Sequence, residues 1–447
     1  MSSQGTAGRE GTSRQSGWLR RLRPESRADY LRFGAVAVVV VGGIAIGLAV
    51  SGGGQGSAAP GAPPAQAQTP TSVTAPSATA TAVSQALAHG SLNVVVDQPS
   101  EATFAELNRV IEGGAQVAAE QANSSGQLPD HLQIKLVPES LDALSPSAIQ
   151  ERLRSDGAGV LVLPCDTNSQ ARIAAAVAHY GTLMIATCNP EPLAAERYST
   201  YWAVGSAGNE EAAELASFMV TQGYLRTFVL KTSGLRYAEL LTGYFERAAK
   251  SKNIHLVGSA SVSADTQDFS ALAQQIKGIE PQPTAVFTAL PPPTVNRLGA
   301  ALRAQGVNTS VVGTSVMDSH LTLTGTEALE NAIFASYGFP REGGAAEHYA
   351  SDYAKQFGKP PVGSLPNLGY ETVRLLEEAA REAHSGEPSA IAHVLAGGFT
   401  LHGVALADRH YLPGSDHNPV SEVGIAKITG SAIEPLIAAS PSAVPSP

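Results

Sequence analysis

Short apolar runs alternate with stretches of helical periodicity from about residue 91 to about residue 430. The clearest unit lies at 159–192, where apolar segments at 159–163 and 183–186 flank apolar positions at helical spacing. A strand, a helix and a second strand within about thirty residues form a βαβ unit, whose strands lie parallel. Because the pattern repeats through most of the chain, it predicts parallel sheets covered by helices on both faces, in two α/β lobes.

Polar residues follow both strands of this unit: Pro-Cys-Asp-Thr after the first and Thr-Cys-Asn-Pro after the second. Ligands of open α/β sheets bind at the carboxyl ends of the strands. The chain has two cysteines, Cys165 and Cys188, and they occupy matching positions at these two ends. Neighbouring strand ends bring such residues within bonding range, which predicts a disulfide. The alternative is two small buried side chains.

The N-terminal region has a different pattern. Residues 1–32 are polar and rich in arginine, and an uncharged apolar run follows at 33–50. Arginines on one side of such a run predict a single transmembrane anchor with a cytoplasmic N-terminus. The alternative is a cleaved signal peptide and a secreted domain. Residues 51–88, rich in Gly, Ala, Pro, Ser and Thr, predict a disordered tether, and 431–447 predict a loose tail.

Composition narrows the function. A net charge of −10 argues against nucleic acid as a partner, and two cysteines do not supply a zinc site. His402, His410 and His417 fall with Asp408 and Asp416 around a Pro/Gly turn, which is typical of a surface loop rather than a metal site. The sequence has no nucleophile elbow, phosphate loop or metal signature, so neither an enzyme nor a cofactor is expected.

Four stretches carry a resemblance to a known family: 159–189, 231–240 with Tyr237 before a helix, Asp-Phe-Ser-Ala-Leu at 268–272, and Gly-Tyr-Glu-Thr at 369–372. In this order and spacing the chain resembles the type I periplasmic binding proteins. It is most similar to the receptors for leucine, isoleucine and valine that serve ABC transporters.

The resemblance implies two doubly wound parallel-sheet lobes joined by three hinge crossings, expected near 201–208, 335–340 and 400–404. The first lobe would comprise 89–205 and 340–400, and the second 206–339 and 401–430. It further implies an extracytoplasmic solute-binding protein of an ABC importer. The partners would be the permease and a small polar ligand such as an amino acid or an amide. The alternative is a ligand- or partner-binding receptor or scaffold on the same fold without a transporter.

The resemblance also implies where the ligand binds. In the first lobe, Thr167, Thr187, Cys188 and Asn189 are expected to face the cleft. Asp166 stands where the family has a serine, and a ligand carboxylate at about 4 Å from it would be repelled by about 4 kcal/mol. If Asp166 faces the cleft, the ligand is therefore neutral or cationic. The alternative is that Asp166 is only the N-cap of the following helix.

In the second lobe, Tyr237 is expected to line the cleft or else to pack beside the hinge, and Leu290 to form an apolar wall. The amino-acid binders of the family use an acid in this lobe for the ligand ammonium group. Ser315 stands nearest to that position, and Asp318 is close but out of register. This departure also argues against an α-amino acid as the ligand.

Overall fold

The structure is a computed structural model that describes residues 77–190, 194–415 and 417–446. Its first sheet is parallel throughout, with the strand order β2-β1-β3-β4-β5. The strands are β1 (Ser91–Asp97), β2 (Gln133–Glu139), β3 (Ala158–Leu163), β4 (Leu183–Ala186) and β5 (Tyr201–Ala203). The helices between and before them are α1 (Ser77–Ala88), α2 (Ala102–Ser125), α3 (Pro146–Ser155), α4 (Thr167–Val177) and α5 (Ala194–Arg197).

A second sheet follows, with the order β14-β13-β10-β9-β8-β6-β7. Strands β6 to β10 are parallel to one another, whereas β13 is antiparallel to β10 and β14 is antiparallel to β13 at one edge. The strands are β6 (Arg226–Ser233), β7 (His255–Ser263), β8 (Ala285–Thr288), β9 (Ser310–Gly313), β10 (Ile333–Ser336), β13 (Val423–Thr429) and β14 (Ala432–Ala439). The helices are α6 (Gly208–Thr221), α7 (Arg236–Ser251), α8 (Ser270–Lys277) and α9 (Thr294–Ala304).

Between β10 and β13 the chain returns to the first sheet. This part comprises α10 (Gly344–Phe357), α11 (Leu365–Ala383), α12 (Pro388–Ala396) and a hairpin of β11 (Phe399–Leu401) and β12 (Arg409–Tyr411). Helices α11 and α2 pack closely because glycines meet backbone there. A Cβ on Gly114 would lie 1.7 Å from the Pro366 oxygen, and one on Gly369 would lie 1.8 Å from the Ile111 oxygen. We term each sheet with its packed helices a lobe.

The predicted α/β architecture with parallel sheets is confirmed. The chain connects the lobes at 204–207, between β5 and α6, at 337–343, between β10 and α10, and at 412–422, between β12 and β13. The third connection lies beyond the expected 400–404, because β11 and β12 first form a hairpin that packs with α11 and α12.

A buried arginine ties the connections together. Arg409 is 1% exposed, and its Nε donates to the Val204 oxygen of the first connection at 2.7 Å. Its two Nη atoms donate to the Tyr337 oxygen of the second connection at 3.3 Å and to the Ala407 oxygen at 2.7 Å. A fully buried guanidinium has no water to bind, so these carbonyls satisfy it.

Two predicted boundaries are wrong. The tether was expected to continue to residue 88, but 77–88 form α1, whose Val83 is buried against the first lobe. The tail was expected to be loose from 431, but 432–439 form β14, which pairs with β13. Residues with few large apolar side chains can still be ordered when a sheet edge or a lobe surface supplies the partner.

The predicted anchor at 33–50 lies outside the described residues, as do 1–32 and the tether as far as residue 76. Within the described part of the chain, no helix combines the length and the apolar character needed to cross a bilayer.

Candidate functional site

A narrow cavity lies where α4 of the first lobe faces α6 and α7 of the second. Its free volume is about 20 Å³, which is room for about one water molecule. A larger ligand can therefore enter only when the lobes part. The lining comes from both lobes and from the first two connections: Thr167, Asn189, Pro190, Ser206, Gly208, Glu211, Tyr237, Leu240, Leu241, Tyr244 and Tyr337.

The lobes touch each other around this cavity. The rings of Phe104 in α2 and Tyr237 in α7 meet edge to face, with centroids 6.4 Å apart. The Asn189 backbone N–H donates to the Tyr337 hydroxyl at 2.9 Å, and that hydroxyl donates to the Asn189 Oδ1, also at 2.9 Å. These contacts join the first lobe to the second lobe and to the second connection, so the structure represents a closed cleft.

The first-lobe wall is the N-terminus of α4. Asp166 is its N-cap, and the carboxylate accepts from the backbone N–H groups of Asn168 at 3.2 Å and Ser169 at 3.0 Å. Asp166 does not line the cavity, so of the two alternatives for this residue the structure has the N-cap. Thr167 follows it and does line the cavity, and its buried hydroxyl has no hydrogen-bond partner.

The second-lobe wall carries a buried carboxyl group, Glu211. Its neighbour Glu210 turns back to accept from the Ala207 N–H at 3.1 Å, so one acid serves the start of α6 and the next one faces inward. Glu211 is 2% exposed, and its two oxygens accept from the Ser315 N–H and hydroxyl, each at 2.8 Å. Burial raises the pKa of Glu211 to about 7, although the bonds from Ser315 oppose that rise.

Tyrosines complete the cavity. The Tyr237 hydroxyl donates to the Ala289 oxygen at the end of β8, and burial raises its pKa well above the usual range. The Tyr337 ring packs against the first connection at Gly205. A Cβ on Gly205 would lie 2.8 Å from that ring, so a glycine is needed for this approach. The tyrosine rings give this wall a largely apolar surface, and their hydroxyl groups make it polar at a few points.

Three of the sequence-predicted residues therefore line the cavity: Thr167, Asn189 and Tyr237. Ser315 lies one layer behind it, bonded to Glu211. Asp318 accepts from the Ser364 N–H at 3.0 Å and lines a different cavity.

Thr187, Cys188 and Leu290 do not line this cavity. The Thr187 hydroxyl lies 3.2 Å from the Thr372 hydroxyl of α11, inside the first lobe, and Leu290 is fully buried in the core of the second lobe. Each has a partner inside its own lobe: Thr187 meets Thr372, Cys188 is bonded to Cys165, and Leu290 packs in the core.

The predicted disulfide is confirmed. Cys165 and Cys188 are bonded, with their Cα atoms 5.2 Å apart, after the adjacent strands β3 and β4. Gln170 supports the same turn, because its Nε2 donates to the Pro164 and Cys188 oxygens at 2.8 and 2.9 Å. The bridge and this amide fix the loop that carries Asn189.

Sequence analysis missed Glu211, Ser206, Tyr244 and Tyr337. The sequence does contain a hint of Glu211. Two adjacent glutamates stand in the first turn of a helix that follows a lobe crossing, and only one of them can cap the helix.

One of the three histidines does not have the exposed position that the sequence predicts. His417 is half-buried and stacks on Trp202, with centroids 3.9 Å apart. His402 pairs with Asp408 at 3.6 Å, and His410 lies 3.1 Å from the Thr400 hydroxyl. Asp416 lies outside the described residues. Among those that are described, no three metal-binding side chains come together.

Comparison with known proteins agrees with this fold. A family model described as periplasmic binding protein matches residues 91–432. A leucine-binding protein from Thermotoga maritima is 17% identical, with a TM-score of 0.68 over 78% of this chain and 99% of that chain. No curated protein sequence matches the chain significantly.

Two further solved structures have the same fold. One is a branched-chain amino acid transporter substrate-binding protein from Streptococcus pneumoniae in complex with isoleucine, 16% identical, with a TM-score of 0.69 over 78% of this chain and 99% of that chain. The other is a solute-binding protein from Rhodopseudomonas palustris in complex with 3,4-dihydroxybenzoic acid, 16% identical, with a TM-score of 0.67 over 80% of this chain and 99% of that chain.

Proposed function

The chain belongs to the periplasmic binding protein family, and from that membership we propose that it is the extracytoplasmic solute-binding protein of an ABC-type importer. It binds a small polar molecule between its lobes and carries out no chemistry on it. The observation that carries this proposal is the cavity between the lobes, with a buried carboxyl group on one wall and hydroxyl groups around it.

The ligand carries a hydrogen-bond donor, either neutral or cationic, for Glu211. None of the described residues that line the cavity is Lys, Arg or His, so an anionic ligand would meet no opposite charge there. At the first-lobe wall, Asp166 already uses two of the free amides of α4 and adds its own negative charge beside them. Both walls therefore favour amides and amines over free carboxylates.

Glu211 takes the place of the acid that amino-acid receptors carry near the position of Ser315. The serine donates two hydrogen bonds to the Glu211 carboxyl group and so fixes it in this part of the cleft. A ligand ammonium group would restore the charged form of Glu211, because an opposite charge at hydrogen-bond distance lowers the pKa of a carboxyl group.

Ligand binding shifts the balance between open and closed lobes, because a bound molecule contacts both walls only when they are close. The rings of Phe104 and Tyr237 and the Asn189–Tyr337 bonds close the same cleft. The permease would recognise the closed form. The proposed anchor at 33–50 would keep the binding domain beside it.

Thermal-shift measurements on the full chain in detergent test the proposal. The compounds are matched sets with one side chain: isoleucine, isoleucinamide and 2-methylbutylamine, together with urea and benzoate. A compound at a hundred times its dissociation constant stabilises the folded state by about 2.7 kcal/mol. We expect shifts with the amide or the amine and none with benzoate. A shift with isoleucine alone would contradict the ligand class, and no shift with any small solute would contradict the solute-binding role.

Two variants on the same helix locate the site. Glu211→Gln should weaken binding of the amine at least tenfold, because it removes the charge on the cavity wall. Glu214→Gln is the matched control, since Glu214 is also in α6 but does not line the cavity. Equal losses in both variants would indicate that the effect comes from α6 itself rather than from ligand contact.

A further inference from the structure

A second cavity lies beside the second connection, outside the site described above. It has a free volume of about 350 Å³, within the size range of small-molecule sites. Asp318 and the start of β14 contribute from the second lobe, Gly338–Pro340 from the connection, and the segment before α11 from the first lobe. Its walls thus come from the two parts that move relative to each other when a cleft of this kind opens.

Two buried side chains on this cavity have acceptor oxygens without partners. Asp318 is 1% exposed, and its Oδ2 accepts from the Ser364 N–H at 3.0 Å. Burial raises the pKa of Asp318, and the Ser336 and Ser364 side chains beside the carboxyl group oppose that rise. Its Oδ1 has no hydrogen-bond partner among the described residues. Asn367, in the first turn of α11, is 2% exposed, and its Oδ1 has no hydrogen bond either. A buried acceptor left unpaired is unfavourable by about 1–3 kcal/mol, so these oxygens favour an occupant that donates hydrogen bonds.

The remaining wall is largely apolar. Leu323, Phe339, Pro340, Val362, Ile433 and Pro435 supply most of it. The backbone at Gly363 has φ +74°, and a Cβ there would lie 2.2 Å from the Asp318 backbone oxygen, so the loop before α11 packs closely against the Asp318 backbone. No Lys, Arg or His is among the described residues that line the cavity, so Asp318 has no cationic neighbour on this wall.

We propose that this cavity is a second ligand site, which takes a small organic ammonium ion with a short branched apolar body. The ammonium group donates to Asp318 Oδ1 and Asn367 Oδ1, and the apolar body packs against Phe339 and Ile433. Because the Asp318–Ser364 hydrogen bond joins the second lobe to the first, a bound cation reinforces that junction and favours the closed cleft.

The test measures isobutylammonium binding to the full chain by ligand-observed NMR, with isobutanol and isobutyrate as neutral and anionic probes of the same shape. We expect the cation to bind at least tenfold more tightly than isobutanol and isobutyrate not to bind. If the chain does not bind isobutylammonium at millimolar concentration, or binds the three probes equally, the proposal is wrong.

Three variants separate this site from the cleft. Asp318→Asn removes the charge, and Ile433→Trp fills the cavity from the edge strand β14, where a larger side chain is tolerated because Ile433 is half-buried. Each should weaken isobutylammonium binding at least tenfold when combined with Glu211→Gln, which removes the charge that attracts an amine to the cleft, whereas Glu211→Gln alone should leave isobutylammonium binding detectable. If Glu211→Gln alone abolishes isobutylammonium binding, the amine occupies only the cleft and the second site is refuted. If neither Asp318→Asn nor Ile433→Trp has an effect, it is refuted as well. If either Asp318→Asn or Ile433→Trp fails to fold, the binding measured with the other variant decides whether the second site exists.

Discussion

Replacing Glu211 by glutamine should make the protein more stable at neutral pH, because glutamine leaves no charge buried at this position. In the folded protein the pKa of Glu211 is raised from 4.5 to about 7, mainly by burial. The folded state therefore binds this proton more tightly than the unfolded state does. The stability that it contributes is fully present below pH 4.5 and is lost as the pH rises towards 7.

The size of the effect follows from the pKa difference. One pKa unit corresponds to about 1.4 kcal/mol, so ionisation of Glu211 lowers the free energy of unfolding by about 3 kcal/mol between pH 4.5 and 8. Glutamine cannot ionise and can still donate to the Ser315 hydroxyl. The variant should match the natural chain near pH 4.5 and exceed it by about 3 kcal/mol at pH 8. With an unfolding entropy of about 0.8 kcal/mol/K for a domain of this size, that is about 4 °C in melting temperature.

Melting temperatures of both proteins from pH 4.5 to 8 measure this difference without ligand. Asp97, whose burial also raises its pKa to about 7, contributes to both curves and cancels in the comparison. Glu347→Gln, on the surface of α10, serves as the control variant. If the curves of Glu211→Gln and the natural chain remain parallel over this range, Glu211 is not a proton-binding group of the folded state, and the reasoning about its burial fails.

Three further outcomes follow from the described contacts. Arg409→Met leaves three carbonyls without a donor and should lower the free energy of unfolding in urea by about 3 kcal/mol or more, whereas Arg341→Met, at the surface, should change it by less than about 1 kcal/mol. Replacing Cys165 and Cys188 by alanine should cost about 3 kcal/mol, given the 23-residue separation, and should abolish the response of the melting temperature to dithiothreitol; a response that persists would contradict the assignment. Asp166→Asn keeps a capping side chain but removes its charge, so the free energy of unfolding should stay within about 0.5 kcal/mol of its natural value. The affinity for isoleucine, measured by calorimetry, should rise at least tenfold, because the negative charge near the ligand carboxylate is gone. An unchanged affinity would mean that the charge of Asp166 does not affect a ligand in the cleft.

The sheets could be predicted because their strands are buried on both faces, and buried strands are continuous apolar runs. Leu161 and Ile185, for example, are fully buried in β3 and β4. The disulfide could be predicted because βαβ geometry puts residues after consecutive strands side by side. Both inferences rest on the residue pattern within a short segment and on the rule that βαβ crossovers are right-handed.

The site could be predicted only in part, because it depends on which way each side chain points after a strand ends. Thr187 and Asn189 follow the same strand two residues apart, yet Thr187 turns into the lobe and Asn189 into the cavity. Glu211 reaches the cavity because Glu210 takes the capping role at the start of α6. Competition between neighbouring residues for one backbone group is decided by the tertiary structure, and the residue pattern alone leaves it open.

The position of Arg409 restricts how the two lobes can move. Arg409, in the strand that precedes the third connection, binds a carbonyl on each of the first two connections, so these segments cannot slide past one another while the bonds last. The remaining freedom is a swing about an axis near this side chain, and displacement in a swing grows with distance from its axis. Small changes in backbone angles beside Arg409 thus become large separations at the far rim of the cleft. Substitutions at these few residues can therefore change how far the lobes open while the residues that line the cavity stay as they are.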